Sequence, residues 1–404
     1  MTADAPRKLP DIEVHGSPEQ ALGMPAAAFL RDYWQKHPLL IRRAFPDFSL
    51  PLQPEDLAGL ACEESALSRL VRHNADANAW ELRHGPFDET DFAALPDSGW
   101  TLLVEDVDKW DADVATLLDQ FAFMPSWRID DIMVSYAESG GGVGPHADQY
   151  DVFLVQGMGR RRWRINTDRN APQEARPDSE LKLLRQFSPS HEWILEPGDM
   201  LYLPPGVSHD GVAEEACMTF SIGMRAPAVA EMLVDCAEYQ ALRLPESLRY
   251  ADPDLTPADA DPGLIDPRTL DRLAESLGSL GERMSRDALG LWFGSFITRY
   301  RTAQLPAPPD QAISVGALES ALRRGAMLLR HPWSRMAWMP RGQSATLFAS
   351  GESLPCPAGL ARRLCSQRYL HLDDSPDQSS LAVLEQLIND GHLHLSAAGV
   401  SAAG

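Results

Sequence analysis

Apolar residues follow two patterns along this chain. Up to about residue 227 they form short runs broken by Gly- and Pro-rich turns; beyond it they recur at helical spacing. In the first part a helix is predicted over 26–35 and a strand over 39–42, after Pro38. Further strands are predicted over 102–104, 132–136, 152–156, 162–165, 200–203 and 218–222, where β-branched and aromatic residues supply a pleated, half-buried surface. Many short strands punctuated by turns imply a barrel or sandwich carrying helices, an α+β architecture. Arg225-Ala-Pro227 closes it. Helices follow over 228–244, 270–284 and 288–300, with a Pro/Asp-rich loop over 251–268. They lack an obvious second layer, so either the barrel of the same chain or a second copy must cover them. After the linker QLPAPPDQ, helices over 313–323, 357–366 and 381–390 interleave with strands over 326–330, 336–339 and 393–395, a winged-helix-like pattern. The division expected is a catalytic domain at 1–227, a helical region at 228–304 and a winged-helix-like domain at 305–404.

Chemistry concentrates in two segments, GGGVGPHADQYDVF and EPGDMLYLPPGVSH. In an extended strand His146 and Asp148, two apart, point to one side. Turn, strand and turn then deliver His209, as a double-stranded β-helix delivers its last metal ligand. Two His and one carboxylate on one face of an octahedron leave three positions open, the arrangement of iron(II) oxygenases. A second HxD motif, His371-Leu-Asp373 with His392 and His394 downstream, lies in the polar, turn-rich segment LHLDDSPDQSS and reads as solvated loop.

Arg160-Arg-Arg-Trp-Arg-Ile165 must alternate as a strand. Arg160, Arg162 and Arg164 share one face; Arg161, Trp163 and Ile165 share the other, which is the buried one. A buried guanidinium needs an anion. Either an internal carboxylate serves, or the distal carboxylate of 2-oxoglutarate, whose 2-oxo acid end would chelate the metal.

These segments, with FSIGMRAP, resemble the JmjC-type ribosomal oxygenases, and within them the bacterial ribosomal-protein arginine hydroxylases of the YcfD/RoxA type. DYWQKHPLLIRRAF, DLAGLA, RHGPF, PSWRIDDIMVSY, YADPDLTP and LWFGSFI carry the likeness over about residues 28 to 300, and more loosely beyond. The resemblance implies a cupin (JmjC) barrel followed by dimerisation helices, hence a homodimer. It implies an enzyme using iron(II), 2-oxoglutarate and dioxygen to hydroxylate an arginine of large-subunit ribosomal protein uL-sixteen. By position, His146, Asp148 and His209 match the iron ligands and Arg161 the 2-oxoglutarate arginine. Ser135 matches a further cosubstrate contact. Thr219 stands where Asn is expected; it keeps a hydroxyl but lacks the amide donor. A substrate guanidinium needs an acidic partner, and Asp130, Asp131, Glu138 and Asp151 are the candidates near the site.

Composition narrows the picture. A hydrophobic content of 44% suits a globular protein, and neither a membrane-spanning run nor a secretory leader is visible. The five cysteines form no CxxC pair and read as reduced cytoplasmic thiols. A net charge of −22 disfavours direct DNA binding, despite the winged-helix-like pattern, and favours a basic protein partner.

Overall fold

The computed structural model describes residues 10–74, 79–177, 180–249, 251, 267–282, 284–372 and 376–396, with backbone alone over 276–282. Residues 1–9, most of the Pro/Asp-rich loop, and Asp373 of the second HxD motif lie outside these residues. The chain divides into two compact units, Met1–Ala226 and Pro227–Gly404.

Two facing sheets build the first unit. The larger runs in the order β1 (Glu13–His15), β2 (Leu39–Arg42), β11 (Met200–Leu203), β8 (Val152–Met158), β13 (Cys217–Met224), β6 (Ile129–Ala137), β5 (Trp100–Val104), β3 (Ser68–Asn74), β4 (Ala79–His84). The smaller runs β10 (His191–Leu195), β9 (Arg161–Asn166), β12 (Ser208–Ala213), β7 (His146–Ala147). The continuous apolar runs of β2, β8 and β11 arise because both faces of the larger sheet are covered. Leu39, Ile41, Phe153, Val155, Met200 and Tyr202 pack outward with Phe29 and Phe121. Leu40, Val152, Leu154, Leu201 and Leu203 pack inward with Trp163 and Ile165 of the smaller sheet. Leu195 and Val207 complete this inward set, and the rest of the barrel interior is left to polar groups.

The helix predicted over 26–35 forms as Ala26–Asp32. It stops short because Tyr33 begins its C-cap and Gln35 adopts a left-handed φ of 57°, which lets its backbone N–H donate to the Tyr202 hydroxyl at 2.8 Å.

In the second unit, helices Val229–Ala241, Pro267–Glu282 and Arg286–Arg299 appear where the pattern placed them. The first keeps Val229, Leu233 and Val234 exposed, and Leu242 after it is 85% exposed. Helices Val315–Arg323, Ala358–Ser366 and Gln378–Asn389 enclose a core around Leu318, Leu328, Leu347 and Leu384 with two three-stranded sheets. Arg330 is structural: its Nη1 donates to the carbonyls of Leu364 and Cys365 at 3.1 and 3.4 Å, closing a helix C-terminus.

Candidate active site

The glycine run before β7 lies against β12 of the smaller sheet. Gly140 N–H donates to Ala213 O at 2.8 Å, Ala213 N–H to Gly141 O at 2.9 Å. A Cβ at Gly142 would stand 2.4 Å from Gly211 O, so glycine alone permits this approach. Leu184 N–H donates to Pro145 O at 2.8 Å from the other side. Held between these contacts, the segment pairs His146 directly with His209.

The strand carrying the first ligand is shorter than HxD alternation suggests. It ends at Ala147, and Asp148 follows outside it. Asp148 nevertheless faces the imidazoles, its Oδ2 lying 3.9 Å from Nε2 of His146 and 3.7 Å from Nε2 of His209. One ligand atom from each of the three lies within 4.8 Å of the others. Nδ1 of His146 donates to Gly144 O at 2.9 Å, and Nδ1 of His209 to Val207 O at 3.0 Å. These bonds select the tautomer that turns both Nε2 lone pairs to a common point. Burial, then the neighbouring His146, push the His209 pKa down to about 4, so it stays neutral and able to ligate. The second HxD motif forms no such cluster among the described residues.

Arg161 lies on the inward face with Trp163 and Ile165, and is 3% exposed. Of the two partners the sequence left open, an internal carboxylate is not among its contacts: no described Asp or Glu forms an ion pair with it. Its Nη1 donates to Ser135 Oγ at 3.2 Å and Thr219 Oγ1 at 3.4 Å, its Nη2 to Gly211 O at 3.2 Å. Nε is buried with no partner. Desolvation pulls the guanidinium pKa below its ordinary value, against the opposing pull of Cys217 and Asp210. A buried cation with an orphaned donor is a receptor for an anion.

The outward arginines differ from one another. Arg160 pairs with exposed Glu215 at 3.0 Å, and Arg162 with Glu214 at 2.7 Å and with Glu192. Arg164 instead pairs with Asp210, a buried carboxylate next in sequence to His209. The alternation foresaw its direction but not this acid.

The four candidate acids separate sharply. Asp151, fully buried, accepts from the Tyr202 hydroxyl at 2.6 Å and Gln35 Nε2 at 3.0 Å, and lies 3.5 Å from Arg128. Asp130 pairs with Arg225 at 3.2 Å, and Glu138 accepts from the Tyr136 hydroxyl at 2.5 Å. Asp131 accepts from the backbone N–H of Asp106 at 3.0 Å, and no described cation pairs with it. Burial, then Asp106, Asp108 and Asp130, push its carboxyl up to about 8. On β6 it shares the inward face with Met133 and Ser135, four residues from the Arg161 contact. Desolvation around its hydroxyl, then Asp148 and Asp131, raise the phenol pKa of Tyr150, two residues beyond Asp148. Sequence reading had not singled out Tyr150.

A double-stranded β-helix with a His-Asp-His face and a buried arginine defines a JmjC-type, cupin-fold oxygenase. A JmjC domain model matches residues 116–232, and a ROXA-like winged helix model matches residues 281–394. The chain is 37% identical over 369 residues to the ribosomal protein uL16 3-hydroxylase of Escherichia coli K12, covering 90% of this chain and 96% of that protein. It is 38% identical over 234 residues to a probable ribosomal oxygenase of Haemophilus influenzae, covering 58% and 55%. The structure of YcfD, a ribosomal oxygenase from Escherichia coli, in complex with cobalt and 2-oxoglutarate superposes with a TM-score of 0.79 at 36% identity, over 93% of this chain and 99% of that one. The chain belongs to the JmjC ribosomal oxygenase family, with a ROXA-like winged helix in its C-terminal part.

Proposed function

We propose that the chain is an iron(II)- and 2-oxoglutarate-dependent dioxygenase that hydroxylates carbon 3 of an arginine side chain in ribosomal protein uL16. One observation carries the reading: a single barrel interior holds a three-ligand face and, without an ion-pair partner among the described residues, a buried guanidinium behind it and a carboxylate on the same inward surface. Two imidazoles and one carboxylate suit a divalent first-row ion and leave room for a bidentate 2-oxo acid and dioxygen. Bound there, the metal and cosubstrate supply oxygen activation coupled to loss of carbon dioxide.

The protein's own residues bind, orient and exclude water. His146, Asp148 and His209 hold the metal, with Gly144 and Val207 carbonyls fixing both imidazoles. Arg161 takes the cosubstrate's tail carboxylate, with Ser135 and Thr219 beside it, by charge-assisted bonding. Leu154, Leu201 and Trp163 keep the interior apolar. Asp131 receives the substrate guanidinium, which supplies a counter-charge and so lowers the pKa that burial and the neighbouring carboxylates hold up. A net charge of −22 favours encounter with a basic ribosomal protein. The same reading includes a homodimer covering the exposed apolar face of Val229–Ala241, the three-part division at residues 227 and 304, and a cytoplasmic location that keeps the cysteines reduced.

Tandem mass spectrometry of ribosomal proteins from a deletion strain and its parent tests the reading. The expected result is one extra oxygen on a uL16 arginine in the parent alone. An unmodified arginine in both strains, or the extra oxygen on a histidine, overturns the substrate assignment.

A further inference from the structure

Gln156, Thr219 and Ser135 form one row across three adjacent strands: Thr219 lies directly opposite Gln156 on β8 and Ser135 on β6. All three are buried, Gln156 and Thr219 almost completely. The Gln156 amide has only one sensible orientation. Its Nε2 faces the carbonyls of Met158, Gly159 and Met218 at 2.9, 3.3 and 3.3 Å, so the nitrogen belongs there and the oxygen faces Thr219. Oε1 accepts from Thr219 Oγ1 at 3.2 Å. A hydroxyl has one proton to give. With it committed to Gln156, Oγ1 turns lone pairs toward its other neighbour, Nη1 of Arg161 at 3.4 Å. Rotating the proton away would set a donor against a donor between buried groups and strip Gln156 Oε1 of its own donor.

We propose that Gln156, acting through Thr219, is a positioning residue that fixes the guanidinium of Arg161, and that Thr219 is an acceptor for Arg161 rather than a donor to the cosubstrate's tail. The inference rests on the 2-oxoglutarate reading above. Nη1 is then occupied by Ser135 and Thr219 and one hydrogen of Nη2 is held by Gly211, so the contacts leave Nε–H and the second Nη2 hydrogen as a fork for the incoming carboxylate. It also gives Thr a role at the position where Asn was expected: one oxygen serves both neighbours, and no amide donor is required.

Calorimetric titration of the Zn(II)-loaded full chain tests this, using 2-oxoglutarate and, in parallel, 2-oxobutyrate, which has the same chelating end but no tail carboxylate. Gln156→Met and Thr219→Val should each weaken 2-oxoglutarate about tenfold, the scale of one buried hydrogen bond. Each should leave 2-oxobutyrate within about twofold of parent, because its chelating end is untouched. Their double variant should be no weaker than the weaker single one, because both break one path. Thr219→Ser should restore binding. If Gln156→Met binds 2-oxoglutarate like the parent while Thr219→Val does not, Thr219 contacts the cosubstrate itself and the proposal fails. Equal weakening of both ligands also overturns it, as a general packing effect. Should Gln156→Met not fold, Gln156→Asn, one methylene too short to reach Thr219, is judged by the same criteria. Unchanged 2-oxoglutarate affinity in Arg161→Ala would remove the cosubstrate reading itself, and this inference with it.

Discussion

The carbonyl of Gly211 accepts Nη2 of Arg161 at 3.2 Å, two residues along β12 from the ligand His209. Gly211 thereby ties the anion receptor to the metal-binding strand. A Cβ there would stand 2.7 Å from the Trp163 ring and 2.9 Å from Arg161 Nε, neither free to move in a packed interior. Gly211→Ala is expected to destabilise the protein by about 1–3 kcal/mol through overpacking. It should also weaken 2-oxoglutarate binding in the fraction that folds. Thermal melting and ligand titration check both; parental affinity in the variant would show that Arg161 does not depend on this contact.

Removing a ligand of the metal should abolish turnover and leave the fold. His146 and Asp148 are only partly buried, one in a two-residue strand and the other just beyond it, so His146→Ala and Asp148→Ala remove little packing. Expected outcomes are loss of peptide hydroxylation with near-parental melting of the metal-free protein. His371→Ala, in the second HxD motif, should be silent. Turnover retained by Asp148→Ala at matched iron would refute the three-ligand assignment.

Three arginines of one strand make an internal control. Arg161→Ala should raise the 2-oxoglutarate requirement steeply, whereas Arg160→Ala, losing an exposed pair with Glu215, should have little effect. Arg164→Ala should fall between, because it strands the buried carboxylate of Asp210 beside His209. Saturation curves for 2-oxoglutarate separate the three; equal effects would contradict the inward and outward assignment.

Much of this was legible in the sequence because the relevant rules are local. Arg161 among Trp163 and Ile165 announces itself by alternation, and the apolar run of β8 by needing two cores. Distances across the barrel were not legible. Asp130, Asp131, Glu138 and Asp151 look alike in sequence; only the fold gives three of them side-chain partners and leaves Asp131 with a backbone N–H and no cation among the described residues. Gln156 reads as the tail of an apolar strand until its register with Thr219 is known. β3 escaped detection because Arg69, Arg72 and His73 interrupt its apolar alternation. Nor does the sequence show that Arg330 is spent inside, donating to the last carbonyls of a helix.

His209 makes stability depend on pH when metal is removed. Its pKa falls from 6.5 to about 4 on folding, so between those values the unfolded chain holds a proton that the folded one does not. Stability therefore declines as pH falls from about 6.5 toward 4, by roughly 3 kcal/mol at full extent. Denaturant titrations of chelator-treated protein at pH 7 and 5 should show a larger loss in the parent than in His209→Gln. Equal losses would assign the slope to other groups.

Asp131 makes the opposite kind of prediction, about substrate. With its carboxyl pushed up to about 8, it is largely protonated at neutral pH in the free enzyme. A guanidinium placed beside it stabilises the carboxylate and lowers that pKa, so binding an arginine peptide should release a proton. The sign follows from linkage: a complex that holds fewer protons than its components tightens as pH rises, and the gain levels off above the free pKa of about 8. Calorimetry in buffers of different ionisation enthalpy measures the released proton directly. Asp131→Asn should bind the peptide more weakly, release no proton and lose the pH slope, yet retain parental affinity for 2-oxoglutarate, because Arg161 contacts Ser135, not Asp131. Asp151→Asn is an unsuitable comparison, since Asp151 accepts from Tyr202 and Gln35 in the core and its loss should show first as reduced stability. Glu138→Gln keeps an acceptor for the Tyr136 hydroxyl and should leave peptide binding intact. An Asp131→Asn enzyme that still releases a proton and hydroxylates the arginine peptide normally would place the guanidinium partner elsewhere in the barrel.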